Sequence, residues 1–157
     1  MQKEKDLSYQ LSLLEITRKN ILDATAPYSV DQLNKIPTGF ANNLIWQLGH
    51  VLVTQQLLQY SLSGIEPKIR KELIPKYRKG THPEENVAEE EVRYIREMLV
   101  ETTALFRQDL KEGIFKKYST YTTSYNVTLT SIEEAIAFNN LHEALHYGYM
   151  LSIRKFL

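Results

Sequence analysis

Apolar positions recur at three- and four-residue spacing in four long stretches of the chain, the repeat of an amphipathic helix. The first runs from Gln2 to Thr25, with Leu7, Leu11, Leu14, Ile21 and Leu22 on its stripe and Pro27 just past its end. The second runs from Asn42 to Ser63 and carries two adjoining stripes. One holds Leu44, Leu48, Val51, Gln55, Leu58 and Leu62; the other holds Trp46, His50, Val53 and Leu57. A helix apolar on two faces touches more than one neighbour, so this one is expected to be central. Gly64 follows it as a natural C′ residue. The third stretch runs from Val87 to Leu110, with Val92, Ile95, Leu99, Phe106 and Leu110 inward and Gly113 after its end. Asn86 with Glu89 offers it an N-x-x-E cap, and Glu89, Glu90 and Glu91 suit a helix N-terminus. The fourth runs from Ser131 to Lys155. Ser131 with Glu134 reads as a capping box, and Arg154 and Lys155 fit the last turn.

Four helices of this length predict an all-α fold, a four-helix bundle. Ile65 to Asn86 is a far longer link than antiparallel neighbours need. It reads as a crossover that leaves the second and third helices parallel, with a helical turn around Arg70 to Lys76. The stretch YSTYTTSYNVTLT, rich in Tyr and Thr, reads as extended, a small hairpin. With 157 residues the chain is expected to form one domain over 1–157.

Composition narrows the chemistry. Lys plus Arg and Asp plus Glu both number 19, so no net charge favours nucleic acid or an anionic membrane. The opening MQKEKDLSYQ has no apolar segment of a secretory signal, and no apolar run is long enough to span a bilayer; a cytoplasmic address is expected. Cysteine is absent, so any metal must be held by His, carboxylate or water.

Attention therefore falls on the four histidines. His142-Glu143-Ala144-Leu145-His146 spells H-E-x-x-H, the zinc-metalloprotease pattern. At about 100° per residue, His146 lies roughly 40° from His142 on a helical wheel, and Ala135, Phe138, Tyr149 and Ile153 share that sector. Both imidazoles thus project from the core-facing stripe, as two metal ligands or as hydrogen-bonded core residues. The protease reading fares poorly. The tail after His146 has no His, Asp or Glu to complete the site, and the extended H-x-x-G-x-x-H is missing. Glu143 points about 100° away from His142, toward a neighbouring helix or solvent. Upstream, His82 sits in the polar loop KGTHPEEN and reads as exposed, whereas His50 lies on an apolar stripe of the second helix. Beside it, Gly49 leaves room for a close backbone or a bulky ligand. His50, His142 and His146 would make a three-histidine site between two helices. Asn139 and Tyr149 are candidates to support it, Asn139 as partner to the Nδ1–H of His142. Gln47 and Gln55 are further candidates.

Two motifs carry a family resemblance: Asn43, Trp46 and His50 as N-x-x-W-x-x-x-H, and His142, His146 and Gly148 as H-x-x-x-H-x-G. With the helix count and the long second connection, the chain resembles the DinB-like superfamily of metal-binding four-helix bundles, including its thiol S-transferase branch. The resemblance implies an up-down-down-up bundle, often a homodimer, with His50, His142 and His146 on a divalent metal, nickel or zinc. Many relatives carry Gln after the last Gly, where Tyr149 stands here.

A metal on three neutral imidazoles keeps its charge and open positions, and so lowers the pKa of a bound water or thiol. The resemblance implies an enzyme acting on a small molecule, with a low-molecular-weight thiol as cosubstrate. Two other readings stay open: a metal-dependent hydrolase, and a non-enzymatic binding or stress-response module with a structural metal or none. An open coordination position beside a pocket would favour an enzyme; a closed shell would favour a structural site.

Overall fold

The structure, a computed structural model, describes residues 2–157, with side chains from Leu7 onward. Helices α1 (Gln2–Thr25), α3 (Leu44–Gln59), α5 (Glu89–Glu112) and α6 (Ile132–Ile153) form its body. Two short helices, α2 (Val30–Asn34) and α4 (Leu73–Tyr77), and a two-residue hairpin of β1 (Tyr121–Thr122) and β2 (Thr128–Leu129) complete it. The fold is all-α. Both α1 and α3 pack against α5 and α6. Within α3 every residue but Thr54 and Leu57 is buried, as its double stripe requires. The largest core cluster forms around it, joining Leu48, Val51 and Leu52 to Ile21, Ile95, Leu99, Met150 and Ile153.

Local chemistry sets the helix starts. Asn43 caps α3 by accepting from Trp46 N at 2.9 Å, while its Nδ2 donates to Asn34 O at 2.8 Å. Ser131 caps α6 by accepting from Glu134 N at 3.3 Å. The Glu134 carboxylate reaches one residue further back, to Thr130 N at 2.6 Å, so the expected capping box closes on a neighbour. The α5 cap expected at Asn86 does not form: the helix begins at Glu89 behind Ala88, which makes no side-chain cap bond. Asn34 holds Val87 through both backbone groups, with Val87 N on Asn34 Oδ1 at 2.8 Å and Asn34 Nδ2 on Val87 O at 3.0 Å. That clamp takes the carbonyl that a helical Val87 would offer to the next turn. The C-terminal end of α5 is closed by Gly113 in the left-handed region, φ 64°, as its sequence position predicts.

Both expected features of the long connections are present. The link between α3 and α5 carries α4 over Leu73–Tyr77, and the Tyr/Thr stretch forms the hairpin, with Tyr121 paired to Leu129 and Thr122 to Thr128. The link docks through Tyr77, whose ring lies directly over Gly49 of α3; any Cβ at Gly49 would overlap it. The space left by this glycine is thus filled by protein. Tyr77 is fixed at its other end by a short hydrogen bond from its hydroxyl to Glu91.

Candidate metal centre

His50 on α3 and His142 and His146 on α6 meet in the bundle, each offering one ligand atom, with all three atoms within 4.8 Å of one another. No other such group of His, Asp and Glu occurs among the described residues. Helical geometry explains the pair on α6, since residues four apart stack on one face. The third imidazole comes from the facing helix, 92 positions away in sequence from His142.

Hydrogen bonds fix which nitrogen of two of the rings is free. His50 Nδ1 lies 2.7 Å from Tyr77 O, a carbonyl that can only accept, so Nδ1 carries the proton and Nε2 keeps its lone pair. His146 Nδ1 donates to Gln47 Oε1 at 2.6 Å, and Gln47 is oriented in turn by its Nε2 donating to Asn42 Oδ1 at 2.9 Å. This again leaves Nε2 free. A ring N–H given to a carbonyl oxygen is the usual outer support of a metal-binding histidine. Trp46 stacks on the His50 ring, centroids 4.6 Å apart and planes 10° apart, and anchors its own Nε1 on Thr81 Oγ1 at 3.1 Å.

The donor set fits a divalent ion. His50 Nε2 and His142 Nε2 are 3.2 Å apart. Two nitrogens bound at about 2.0–2.1 Å with an angle of about 100° have that separation. Burial holds all three imidazoles neutral. His142 is pushed down to about 2 by burial and then by His146 and His50, and His146 to about 4 by burial and then His50. His50 is also lowered by burial, against the opposing pull of the Tyr77 carbonyl. Neutral rings are the form that binds a metal.

The remaining candidates fall elsewhere. Asn139 is fully buried and donates Nδ2 to Glu143 Oε1 at 2.9 Å. Its Oδ1 and the Nδ1 of His142 are both buried and both without a partner, so the pairing expected between them is not made. Tyr149 is 36 % exposed and packs edge-on against Phe40, centroids 5.6 Å apart. It shares the wheel sector of His142 but lies about two turns further along the axis, roughly 10 Å away at 1.5 Å per residue. Gln55 joins a different network, accepting from Arg18 Nη2 at 3.2 Å. His82 is part of the exposed loop and touches only its neighbour's carbonyl, Pro83 O, at 3.2 Å.

Glu143 settles the reading of H-E-x-x-H. It is fully buried, and its carboxylate accepts a two-pronged contact from Arg18, Nε to Oε2 at 3.0 Å and Nη2 to Oε1 at 2.8 Å. Arg18 spends its other donors on Leu99 O, Thr102 Oγ1 and Gln55 Oε1. The carboxylate that would serve a metallopeptidase as base is locked into a neighbouring buried face of the helix, joining α1, α3, α5 and α6.

A cavity of about 440 Å³ opens beside the histidines, lined by all three together with Thr54, Leu57, Leu58, Leu62, Phe138, Leu145 and the hairpin residues Tyr121, Thr123 and Tyr125. Three candidate ligands beside a cavity, with no fourth His, Asp or Glu among the described residues, would leave an ion held there an open position. A family model described as the DinB superfamily matches residues 13–150, most of the chain, and the protein belongs to that superfamily. No curated protein matches the sequence. Sequence reasoning had named Trp46 for its motif without its role, left Gln47 among lesser candidates, and missed Tyr77 altogether. A backbone carbonyl from the end of a short helix leaves no residue-specific trace in a sequence.

Proposed function

We propose that this protein is a metal-dependent enzyme acting on a small molecule, of the thiol S-transferase type, with His50, His142 and His146 holding nickel or zinc. The observation that carries the reading is the convergence of three neutral imidazoles on one point at the wall of an open cavity. A bound divalent ion would supply positive charge that favours a thiolate over a thiol near neutral pH. The protein's own part is positional. Tyr77 O and Gln47 Oε1 fix the tautomers of His50 and His146, and the Trp46 stack holds the plane of His50. The leucines and Phe138 of the cavity wall displace water from the reacting groups. The chain supplies no thiol, so the thiol is a cosubstrate. The superfamily reading also carries an up-down-down-up course of the long helices and a homodimer.

The test is metal content by plasma mass spectrometry on untagged protein. Wild type should carry about one equivalent of transition metal per chain. His146→Ala should lose it while keeping its helical circular dichroism, and Gln47→Ala should bind roughly 10- to 100-fold more weakly. Wild-type protein that stays metal-free after incubation with zinc, nickel and manganese overturns the reading. Thiol-transfer assays on electrophiles, with hydrolysis as the control reaction, then test the reaction class.

A further inference from the structure

The cavity beside the histidines has an uneven chemistry. Its walls are aliphatic and aromatic: Leu57, Leu58, Leu62, Phe138 and Leu145, with Tyr121 and Tyr125 from the hairpin. Several of these surfaces meet solvent, with Leu145 53 %, Tyr125 48 % and Tyr121 37 % exposed. Apolar surface gathered around a concavity is stabilised by an occupant that covers it. Beside the three imidazoles, the neutral polar lining is hydroxyl, from Thr54, Ser61, Thr123 and Ser124. One side chain in the lining carries a formal charge, Lys79, and no carboxylate lines the cavity. Lys79 is exposed at the rim and has no ion-pair partner among the described residues, although other lysines of the same region, Lys68, Lys71 and Lys76, are each paired with Asp or Glu. Any metal the histidines hold adds charge of the same sign as Lys79.

We propose that this cavity binds a small molecule with an apolar, aliphatic or aromatic body and one anionic group, a carboxylate or its equivalent, paired with Lys79. The inference deepens the enzyme reading above and rests on it for the reaction, though not for the binding. The leucines and Phe138 take the body, the hairpin tyrosines cover it, and Lys79 selects the charge. A fully polar solute leaves the wall dry and unpaired, and a cationic one meets Lys79 with like charge; both are disfavoured.

Titration calorimetry with three probes tests this: phenylbutyrate, its neutral counterpart phenylbutanol, and butyrate, which has the charge without the ring. Each is run on wild type, on Lys79→Met and on Leu145→Ser, both substitutions at exposed positions that leave the core intact, and metal content is measured on the same samples. Phenylbutyrate should bind most tightly. Lys79→Met should weaken it roughly two- to fivefold, the range of an exposed ion pair, and leave phenylbutanol unchanged. Leu145→Ser should weaken both ring-bearing probes. The proposal is overturned if phenylbutyrate does not bind at millimolar concentration, if butyrate binds as well as phenylbutyrate, or if Lys79→Met affects the acid and the alcohol alike. The two readings fail separately. Protein with no metal but a Lys79-dependent preference for the acid loses the metal centre and keeps this site; protein with a full metal complement and no such preference does the reverse.

Discussion

Glu143→Ala is the substitution for which the structure gives the firmest number. The carboxylate has no solvent exposure, and Arg18, only 1 % exposed, directs two of its N–H groups at it. Removing the carboxylate leaves a guanidinium charge buried with those donors unpaired, while Asn139 Nδ2 loses its acceptor as well. Breaking one partner out of a buried ion pair costs about 3–5 kcal/mol. Domains of this kind have about 5–15 kcal/mol in hand, so roughly a fifth or more of the stability goes. At about 2–4 °C per kcal/mol for this chain length, the melting temperature should fall by roughly 6–20 °C. Glu143→Gln keeps the shape and one acceptor but sets an amide N–H₂ against the guanidinium, and should cost about 2 kcal/mol. Replacing both partners, Arg18→Met with Glu143→Leu, removes the stranded charge and should recover most of the loss. Urea unfolding followed at 222 nm measures all three, with metal content taken on the folded proteins. A loss below about 1 kcal/mol in Glu143→Ala would refute the account of a structural pair. So would a double variant no better than the single one. Intact stability with a lost activity would return Glu143 to a catalytic role.

Two further perturbations probe the supports of the centre. Gly49→Ala drives a methyl into the Tyr77 ring and should cost about 1–3 kcal/mol, the usual penalty of overpacking. Because Tyr77 O holds His50, metal affinity should drop with it; unchanged affinity would show that the carbonyl is dispensable. In metal-free protein, the three histidines are neutral when folded but take up protons near pH 6.5 when unfolded. The unfolded state therefore binds more protons below that pH. The stability these rings contribute is complete above about pH 6.5 and is lost as pH falls toward about 4, through the value of His146. Urea midpoints of chelator-treated protein at pH 7.5 and pH 5 should differ more in wild type than in a variant with all three histidines changed to Gln. Equal differences would place the titration in other groups.

Much of this was legible in advance because it follows from periodicity. The four long helices, the central place of α3 and the convergence of His50, His142 and His146 are all consequences of residues recurring on one face of a helix. What escaped was specified by partners distant in the chain. Arg18 reads as a surface residue on α1, and nothing local says that Glu143, 125 positions later, meets it. Asn139 lay suitably for His142 on a wheel, but its amide is turned to Glu143, and its Oδ1 and the His142 Nδ1 each stay without a partner. Tyr149 shares that face, and its ring packs on Phe40, a contact no wheel shows. The α5 cap failed because Asn34 captures Val87 from outside the segment. The short helix α2 was a different matter. Its Ser29 and Gln32 form a full capping box, with Gln32 N on Ser29 Oγ at 3.2 Å and Ser29 N on Gln32 Oε1 at 3.0 Å. That S-x-x-Q pattern stood in the sequence and was the signal to read.

The 92 positions between His50 and His142 have a thermodynamic consequence. Two of the candidate ligands are neighbours on successive turns of α6, but the third arrives only when α3 has docked, and its ring is aimed only when the link after α3 has laid Tyr77 over Gly49. An unfolded chain has no such site, so an ion held there distinguishes folded from unfolded protein almost completely. Its binding free energy is then added to the stability of the whole domain by mass action. In this protein the supply of metal in the surroundings would set how long the fold persists, as well as whether the site works.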